Sequence, residues 1–389
     1  MNKPAGGADY HTRVIGDLAT IGDATWNALV TKSGRSNPFL KYEFLQALHL
    51  TGCAAPRSGW EMQYFTIWHG EQLTGAVPLY RKHHSYGEYV FDWAWASAYQ
   101  QHGIEYYPKW LAAVPFTPVP GTRLIAHNSD TRTVLAESLL SHARKSGLSS
   151  LHVLFAPSDE IEAMGRAGML TRRAVQFHWF NRGYTSFDDY LASLAQPKRK
   201  KIRAERRKVS AEGISFDRKV GRDIRESDWD LFMRCYATTY AAHYSTPYLN
   251  RRFFLRIAES MPDNLLLVTA SRARRPIAAA FALFDAERLY GRYWGAIEYV
   301  PCLHFDVSYY QMIEFAIDRK LKVFEGGAQG EHKLARGFEP VTTYSSHWLA
   351  HPSFSDAVER YLQRETGGIE AYVDELNERS ALRTPSNVE

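Results

Sequence analysis

Residues 265–295 read "LLLVTASRARRPIAAAFALFDAERLYGRYWG" and decide the fold class. Three runs rich in apolar residues are separated by two short polar segments, "SRARRP" and "DAE". Apolar runs bounded by turn-forming residues are typical of β-strands. The stretch therefore predicts a three-stranded β-meander.

The same pattern occurs earlier in the chain. Residues 64–95, "YFTIWHGEQLTGAVPLYRKHHSYGEYVFDWAW", show the same order of runs and turns, with "YVFDWAW" as the third predicted strand. Each meander is followed by a helical pattern and a further strand, "DTRTVLAESLLSHARKSG" with "LHVLFA" and "DVSYYQMIEFAIDRK" with "LKVFEGG". This repetition predicts one structural unit used twice.

Length and composition agree with a two-domain α/β protein that has mixed sheets. The chain has 389 residues, and 45% of them are hydrophobic, which is enough for two cores. We expect a first domain at 1–175 and a second at 176–352, followed by a helical tail at 353–389. The first domain contains a long aromatic connection, which we predict to be a loop at 97–125.

Several classes of protein are excluded by simple features. The three cysteines, Cys53, Cys235 and Cys302, are far apart and have no metal-ligand spacing, so neither a disulfide framework nor a metal site is expected. The first residues lack the apolar run of a signal peptide, and no apolar run approaches the ~20 residues of a membrane span. We therefore expect a cytoplasmic protein.

A strongly basic segment, "QPKRKKIRAERRKVSAEG", predicts a helix at 197–212. Pro197 suits the first turn of a helix and Gly213 suits its end. Ile202 and Val209 lie two turns apart and form a narrow apolar stripe. The cations form a solvated helix face or hinge between domains, or a seat for the phosphates of a nucleotide cofactor or an RNA. A membrane-surface helix is a third option, although the stripe is too thin for firm insertion. The candidate phosphate-binding residues are Lys198, Arg199, Lys200, Lys201 and Arg203.

The segment "FEGGAQGEHKLARGF", Phe324 to Phe338, places ionisable side chains on a glycine-rich loop after a predicted strand. Glycine lets the backbone turn sharply and approach a ligand closely. Glu325 ends the strand, where ligand sites of open α/β sheets lie. Glu331 and His332 can supply an acid/base pair. The alternative is that salt bridges within the segment only fix the loop.

Several strings in the chain together resemble the FemAB-like family. They are "YYPKW", "VPFTPVPGTRL", "YGRYWGA", "LHFDVSYYQMIEFAI" and "FEGGAQGEHKLARGF". This family is associated with peptidoglycan biosynthesis or recognition and is similar to the GNAT acyl-CoA N-acyltransferase superfamily. The resemblance covers most of residues 37–350 and implies two tandem GNAT-like acyltransferase domains.

The resemblance also implies transfer of an acyl or aminoacyl group to an amine acceptor, such as a cell-wall precursor or a small peptide. The donor in such proteins is aminoacyl-tRNA or acyl-CoA, so no tightly bound cofactor is expected. The sequence lacks an RxxGxG/A segment that would cradle the CoA pyrophosphate. This favours aminoacyl-tRNA or another phosphate-bearing donor. A conventional acyl-CoA enzyme and a non-catalytic protein that binds RNA or a peptidoglycan precursor remain alternatives.

Acyl transfer to an amine requires a base and hydrogen-bond donors that face the developing oxyanion. The candidate catalytic residues are Glu325, Glu331, His332 and His304. The candidate substrate-binding residues are Lys333, Arg336, Gln329, Tyr309, Tyr310, His102, Tyr106, Tyr107 and Lys109. By the resemblance, Lys333 and Arg336 contact the donor. The last four residues of the list belong to the aromatic connection, where simple packing is the alternative interpretation.

Overall fold

The structure is a computed structural model that describes residues 10–327 and 330–383. The chain divides into two compact units. Unit 1 comprises the described residues up to Ala174 together with Thr342–Glu370. Unit 2 comprises Val175–Val341 and the described residues from Ala371 onwards. Unit 1 is therefore completed by a segment that follows most of unit 2 in the chain.

The strands and helices are numbered in chain order. The strands are β1 Tyr10–Ile15, β2 Trp60–Met62, β3 Tyr64–His69, β4 Gln72–Val77, β5 Leu79–Lys82, β6 Lys109–Ala112, β7 Ile125–Ala126, β8 Ser150–Leu154, β9 Leu170–Phe180, β10 Ile214–Val220, β11 Leu265–Arg272, β12 Arg275–Phe284, β13 Arg288–Ala296, β14 Val323–Glu325 and β15 Glu339–Leu349. The helices are α1 Asp23–Lys32, α2 Tyr42–Leu50, α3 Trp93–Gln101, α4 Ser129–Lys145, α5 Ser158–Ala167, α6 Phe187–Ser193, α7 Gln196–Ala211, α8 Glu226–Ala242, α9 Arg251–Ser260, α10 Leu303–Phe305, α11 Gln311–Asp318 and α12 Pro352–Glu378.

The two units share one arrangement of strands. In unit 1, β6 and β8 are parallel, and the antiparallel neighbours β5 and β15 flank them. In unit 2, β13 and β14 are parallel, and the antiparallel neighbours β12 and β9 flank them. Unit 1 has a second, antiparallel sheet in the order β1-β3-β4-β7. The predicted fold class, two GNAT-like domains with mixed sheets and an added C-terminal helix, is confirmed.

The meander of residues 265–295 forms as the sequence predicts. Its strands are β11, β12 and β13, which pair antiparallel in succession. Ala273 and Arg274 both adopt left-handed backbone conformations, with φ of 48° and 61°. Positive φ at both central residues matches the right-handed twist of the flanking strands, which is why this two-residue turn closes a hairpin.

The first copy differs from the predicted meander. "YVFDWAW" forms no strand, and Trp93–Gln101 is instead a helix. The predicted loop at 97–125 contains strand β6. Lys109 at the start of β6 binds Glu88 and Asp92 in the preceding segment. The segment is thus held beside β6 by side-chain contacts, which a local sequence pattern does not show.

Each unit has its own core of buried apolar side chains. In unit 2, Ile202 and Val209 of α7 are 0% and 1% exposed, so the predicted apolar stripe of the basic helix is buried. The tail is one helix, α12. Among the described residues, no helix combines the length and apolarity that crossing a membrane requires. The same residues include no cluster of His, Cys, Asp or Glu suited to a metal ion.

Candidate functional site

The candidate site lies in unit 2, at the point where strands β13 and β14 diverge. The two strands pair only through Arg288–Tyr290 and Val323–Glu325, although β13 continues to Ala296. A β-bulge adds one residue, Arg292, to β13 opposite β12. A cavity of about 90 Å³ opens beside this bulge. Its lining includes Gly291, Arg292, Tyr293, Trp294, His304, Ser308, Tyr309, Met312, Phe324 and Gly326.

A tyrosine and a histidine form the reactive pair nearest the cavity. The Tyr309 hydroxyl lies 2.9 Å from Nε2 of His332. Burial raises the pKa of Tyr309 to about 12. Burial and the cations of Lys333 and Arg336 lower the pKa of His332. Near neutral pH both groups are uncharged, so the tyrosine donates and the histidine nitrogen accepts.

Glycine is required where the His332 ring packs against the loop. A Cβ atom on Gly330 would lie 2.3 Å from a carbon of the His332 ring, and Gly330 has φ of 113°. A larger residue would therefore be strained in its backbone and would displace the His332 ring. The glycine-rich composition that the sequence shows therefore serves the position of His332. Gln329, a predicted substrate contact in the same loop, lies outside the described residues.

Lys333 is buried beside the same loop. Its side chain is 2% exposed, and Nζ donates to the carbonyl oxygen of Gly327 across 3.0 Å. Burial lowers the pKa of this amine to about 7. A lysine that loses its proton near neutral pH can take part in proton transfer, which an ordinary surface lysine cannot.

His304 belongs to the wall of the cavity. Its ring stacks on Trp294, with 4.3 Å between the ring centroids. Burial, together with His332, Arg336 and Lys333, lowers its pKa to about 4. His304 is therefore neutral under ordinary conditions and can accept a hydrogen bond or donate one. The sequence does not point to Trp294 as its partner.

Neither of the two predicted catalytic carboxylates, Glu325 and Glu331, is among the residues that line the cavity. Phe324 lines the cavity, and since side chains alternate along a strand, its neighbour Glu325 points to the opposite face of β14. There Glu325 accepts from Arg288 across 3.0 Å, and burial raises its pKa to about 7. Glu331 is exposed and accepts from the Tyr372 hydroxyl across 2.7 Å.

Arg336 and Tyr310, predicted substrate contacts, are used within the protein. Arg336 is 2% exposed and donates to both carboxylate oxygens of Glu205, across 2.9 and 3.0 Å. Tyr310 is fully buried, and its hydroxyl also donates to Glu205. Arg336 therefore forms a salt bridge that fixes the loop, as the alternative interpretation predicts. Its partner, however, is Glu205 on α7 and not a residue of the loop.

A serine that the sequence analysis did not select also lines the cavity. The Ser308 hydroxyl is buried and has no hydrogen-bond partner among the residues that the structure describes. Ser308 lies in the π-helical turn Asp306–Tyr310, which also carries Tyr309. Turns of this type are frequent at functional sites. A lone serine in an apolar helical pattern gives no sequence signal of this kind.

The candidate residues of unit 1 form a buried network. Lys109 is 0% exposed, and Nζ donates to Ser85 and Glu88, each across 2.9 Å, and to Asp92. The Tyr106 hydroxyl donates to Asp92 across 2.6 Å and lies 2.9 Å from Nε2 of His152. A buried charge has to be paired in this way. The Lys109 amine and the Tyr106 hydroxyl are thus engaged within unit 1, while one oxygen each of Glu88 and Asp92 is buried and has no hydrogen-bond partner among the described residues.

The two remaining residues of that set also have partners within unit 1. The Tyr107 and Ser85 hydroxyls are 2.7 Å apart. His102 is exposed, and its Nδ1 lies 2.8 Å from the carbonyl oxygen of Ala98 at the end of α3. Packing, the alternative interpretation of the aromatic connection, accounts for these contacts.

In the part of unit 1 that the structure describes, the segment that follows β6 packs over the corresponding parallel pair. The segment after β6 carries Val114, Phe116 and Val119, each at most 5% exposed. Gly121 at its end donates its backbone N–H to the carbonyl oxygen of Phe155, directly after β8, across 2.9 Å. The unit 2 position is therefore the better candidate site.

The basic helix α7 presents cations on its outer face. Lys200, Lys201 and Arg203 are exposed, and Lys198 and Arg199 are half-buried. Arg203 lies 3.5 Å from Asp188. Among the described residues, the other four cations have no carboxylate within 4.0 Å. Unpaired exposed cations are available to an anionic ligand.

The segment between β13 and α10 does not fit a pyrophosphate cradle. Residues 297–302, "IEYVPC", include no glycine that would let the backbone approach a phosphate. The one acid of the segment, Glu298, binds Arg272 and Arg275. The segment therefore lacks the glycine-rich, amide-lined loop that cradles a pyrophosphate.

Two units, each with one parallel strand pair flanked by antiparallel neighbours, define a tandem GNAT-like fold. A model of the FemAB-like family, described as peptidoglycan biosynthesis/recognition, matches residues 17–384. The chain belongs to this family.

Solved structures agree with the fold. The crystal structure of FemX has a TM-score of 0.54 and 11% identity, covering 88% of this chain and 98% of that one. The structure of L-PGS from Bacillus licheniformis has a TM-score of 0.51 and 9% identity, covering 92% and 99%. A conserved protein of unknown function from Bacteroides thetaiotaomicron VPI-5482 has a TM-score of 0.52 and 13% identity, covering 87% and 100%. A search of curated proteins finds no match.

Proposed function

We propose that this protein is a transferase that moves an aminoacyl group from tRNA, or an acyl group from another phosphate-bearing donor, to an amine on a peptidoglycan precursor. The observation that carries the proposal is the Tyr309–His332 pair, which stands at the cavity between β13 and β14. Membership of a family described by peptidoglycan biosynthesis or recognition supports the class of acceptor.

Proton transfer from the attacking amine is the first requirement. Tyr309 lines the cavity and His332 accepts its hydrogen bond, so the pair can relay a proton from the amine nitrogen to Nε2 of His332. The carbonyl carbon forms a bond to the amine nitrogen and loses its bond to the donor oxygen. The proton that leaves the nitrogen ends on that oxygen, so the reaction balances without a covalent enzyme intermediate.

Stabilisation of the oxyanion is the second requirement. The Ser308 hydroxyl is buried at the cavity and is available to donate to a developing negative charge. His304, neutral and held against Trp294, lies in the same wall. We assign Ser308 as the first candidate donor and His304 as an orienting group for the acceptor.

The donor's phosphates are assigned to α7, since its outer face carries cations without carboxylate partners among the described residues. The glycine-free segment 297–302 argues against acyl-CoA as the donor. An aminoacyl-tRNA fits better because its many phosphates suit an extended basic helix and need no tight pyrophosphate loop.

The test is a donor and acceptor screen read by mass spectrometry. The purified protein is incubated with a mixture of aminoacylated tRNAs or with a panel of acyl-CoA compounds, each with a muropeptide precursor as acceptor. We expect a mass increase of one aminoacyl group with charged tRNA, its loss in His332→Ala, and its retention in His243→Ala, an exposed histidine of the same unit. Transfer from acyl-CoA alone, or equal transfer by both variants, contradicts the proposal.

A further inference from the structure

The inner face of the basic helix α7 carries a buried acidic residue. Eight Lys and Arg residues lie between Lys198 and Lys208, and Glu205 is the one acid among them. Glu205 is only 7% exposed and lies on the same side of the helix as Ile202 and Val209. A buried carboxylate is costly unless it is paired and hydrogen-bonded. The residue that pairs with Glu205 therefore identifies the segment that the inner face of α7 contacts.

That partner is Arg336, which connects the helix to the loop of the candidate site. The guanidinium donates to both oxygens of Glu205 and, through Nε, to the Tyr310 hydroxyl across 3.0 Å. Its remaining nitrogen, Nη1, donates to the backbone carbonyl of His332 across 2.6 Å. The guanidinium also lies over the Phe305 ring, 3.5 Å from its centroid. Each nitrogen of the Arg336 guanidinium therefore donates a hydrogen bond, which fixes the position of the side chain.

Arg206, the next residue of α7, contacts the helical segment that carries Tyr309. Arg206 donates to Glu314 of α11 across 2.6 Å and lies 3.8 Å from Asp306. Asp306 begins the π-helical turn that carries Tyr309. Glu205 and Arg206 of α7 thus bind the two segments that supply the Tyr309–His332 pair.

We propose that Glu205 and Arg336 are positioning residues that hold His332 against Tyr309, and that α7 thereby joins the seat of the donor's phosphates to the proton-accepting pair. This inference rests on the function proposed above for the same site. The simpler alternative is that the ion pair only anchors the helix. The two differ in what happens to His332 when the pair is broken in a protein that stays folded.

The test follows the His332 ring by NMR of histidine-labelled protein, with His332→Ala to assign its signal. In Glu205→Gln we expect the titration midpoint of His332 to rise toward about 6.5, since the ring is released into water. Loss of a nearby negative charge alone would lower the midpoint, so the direction separates release from electrostatics. Arg336→Lys, which keeps the charge but not the fork of hydrogen bonds, should give the same rise.

Glu212→Gln is the matched control because Glu212, which caps the same helix, pairs on the surface with Arg272 across 2.9 Å. It should leave the His332 midpoint unchanged. An unchanged midpoint in both Glu205→Gln and Arg336→Lys, with the fold intact by circular dichroism, overturns the inference.

A second measurement separates this inference from the proposed function. Glu205→Gln should bind total uncharged tRNA with an affinity within about twofold of the unaltered protein, because the outer face of α7 is intact, while turnover falls roughly 10- to 100-fold through misplacement of His332. If the unaltered protein does not bind tRNA, the proposed function fails, and the His332 midpoint still decides the role of Glu205. Turnover of Glu205→Gln equal to that of Glu212→Gln also overturns the inference.

Discussion

The Tyr309 hydroxyl lies 2.9 Å from Nε2 of His332, and the two residues come from different segments of unit 2, the π-helical turn before α11 and the loop after β14. The tyrosine faces the cavity, whereas the histidine is absent from its lining. In the proposed reaction this order lets Tyr309 pass the amine proton to His332, from which it returns to the leaving oxygen.

Replacing Tyr309 with phenylalanine should therefore lower turnover by about 10²-fold, because the ring still packs but the hydroxyl link to His332 is lost. The melting temperature should change little. The measurement is the rate of aminoacyl transfer under saturating donor, with Tyr299→Phe as the control, since Tyr299 is 87% exposed. Equal rates in the two variants would show that the hydroxyl is dispensable and that His332 acts without it.

The outer face of α7 predicts a salt dependence. If Lys200 and Lys201 each neutralise a phosphate, changing both to glutamine should reduce the slope of log affinity for tRNA against log salt by about 0.7 to 0.9 per residue. Fluorescence anisotropy between 50 and 200 mM salt measures this slope. Changing Lys32 and Lys145 of unit 1, which are also exposed, removes the same charge and should leave the slope unchanged. Equal slopes in both double variants would assign α7 to the solvated surface.

How far the sequence predicts this structure depends on the range of the interactions. The meander at 265–295 was predictable because hairpins and their turns are local. The predicted strand "YVFDWAW" was wrong: its last residues begin helix α3, and Glu88 and Asp92 pair with Lys109 farther along the chain. A pattern within a segment cannot show a partner that is brought near only by folding.

The candidate site shows the same limit. The sequence pointed to the loop of residues 324–338, and its His332 and Lys333 stay predicted site residues, but the facing residues Ser308 and Trp294 gave no signal. Glu205 was visible as the lone acid in a basic run, between two residues of the apolar stripe. A charged residue on the apolar side of an amphipathic helix indicates a buried partner, and this signal could have predicted the ion pair with Arg336.

Lys109 was expected to bind substrate, and its buried contacts predict a structural role. Lys109→Met should destabilise unit 1 by about 3–5 kcal/mol, because Glu88 and Asp92 remain buried without their cation. Urea unfolding followed by hydrogen exchange measures the loss within unit 1. The double variant Lys109→Met with Glu88→Gln should recover part of it, and Lys145→Met on the surface should cost little. A fully stable but inactive Lys109→Met protein would restore the substrate-binding role.

Lys333 predicts a pH-dependent stability with a definite sign. Burial lowers its pKa to about 7 in the folded protein, whereas in the unfolded chain it is ~10.4. Between these values the unfolded state binds more protons, so this group makes the protein more stable as the pH rises from about 7 toward 10. Below pH 7 the amine is charged in both states, and the cost of burying the charge is present in full.

Lys333→Met removes that cost, so it should stabilise the protein most at pH 6 and progressively less as the pH rises above 7. Urea midpoints of the variant and the unaltered protein at pH 6, 7, 8 and 9 give the difference at each pH. Lys208→Met, on the exposed side of α7, should show no such trend. A difference for Lys333→Met that stays constant from pH 6 to 9 would mean that this amine keeps an ordinary pKa and is not available as a proton acceptor near neutral pH.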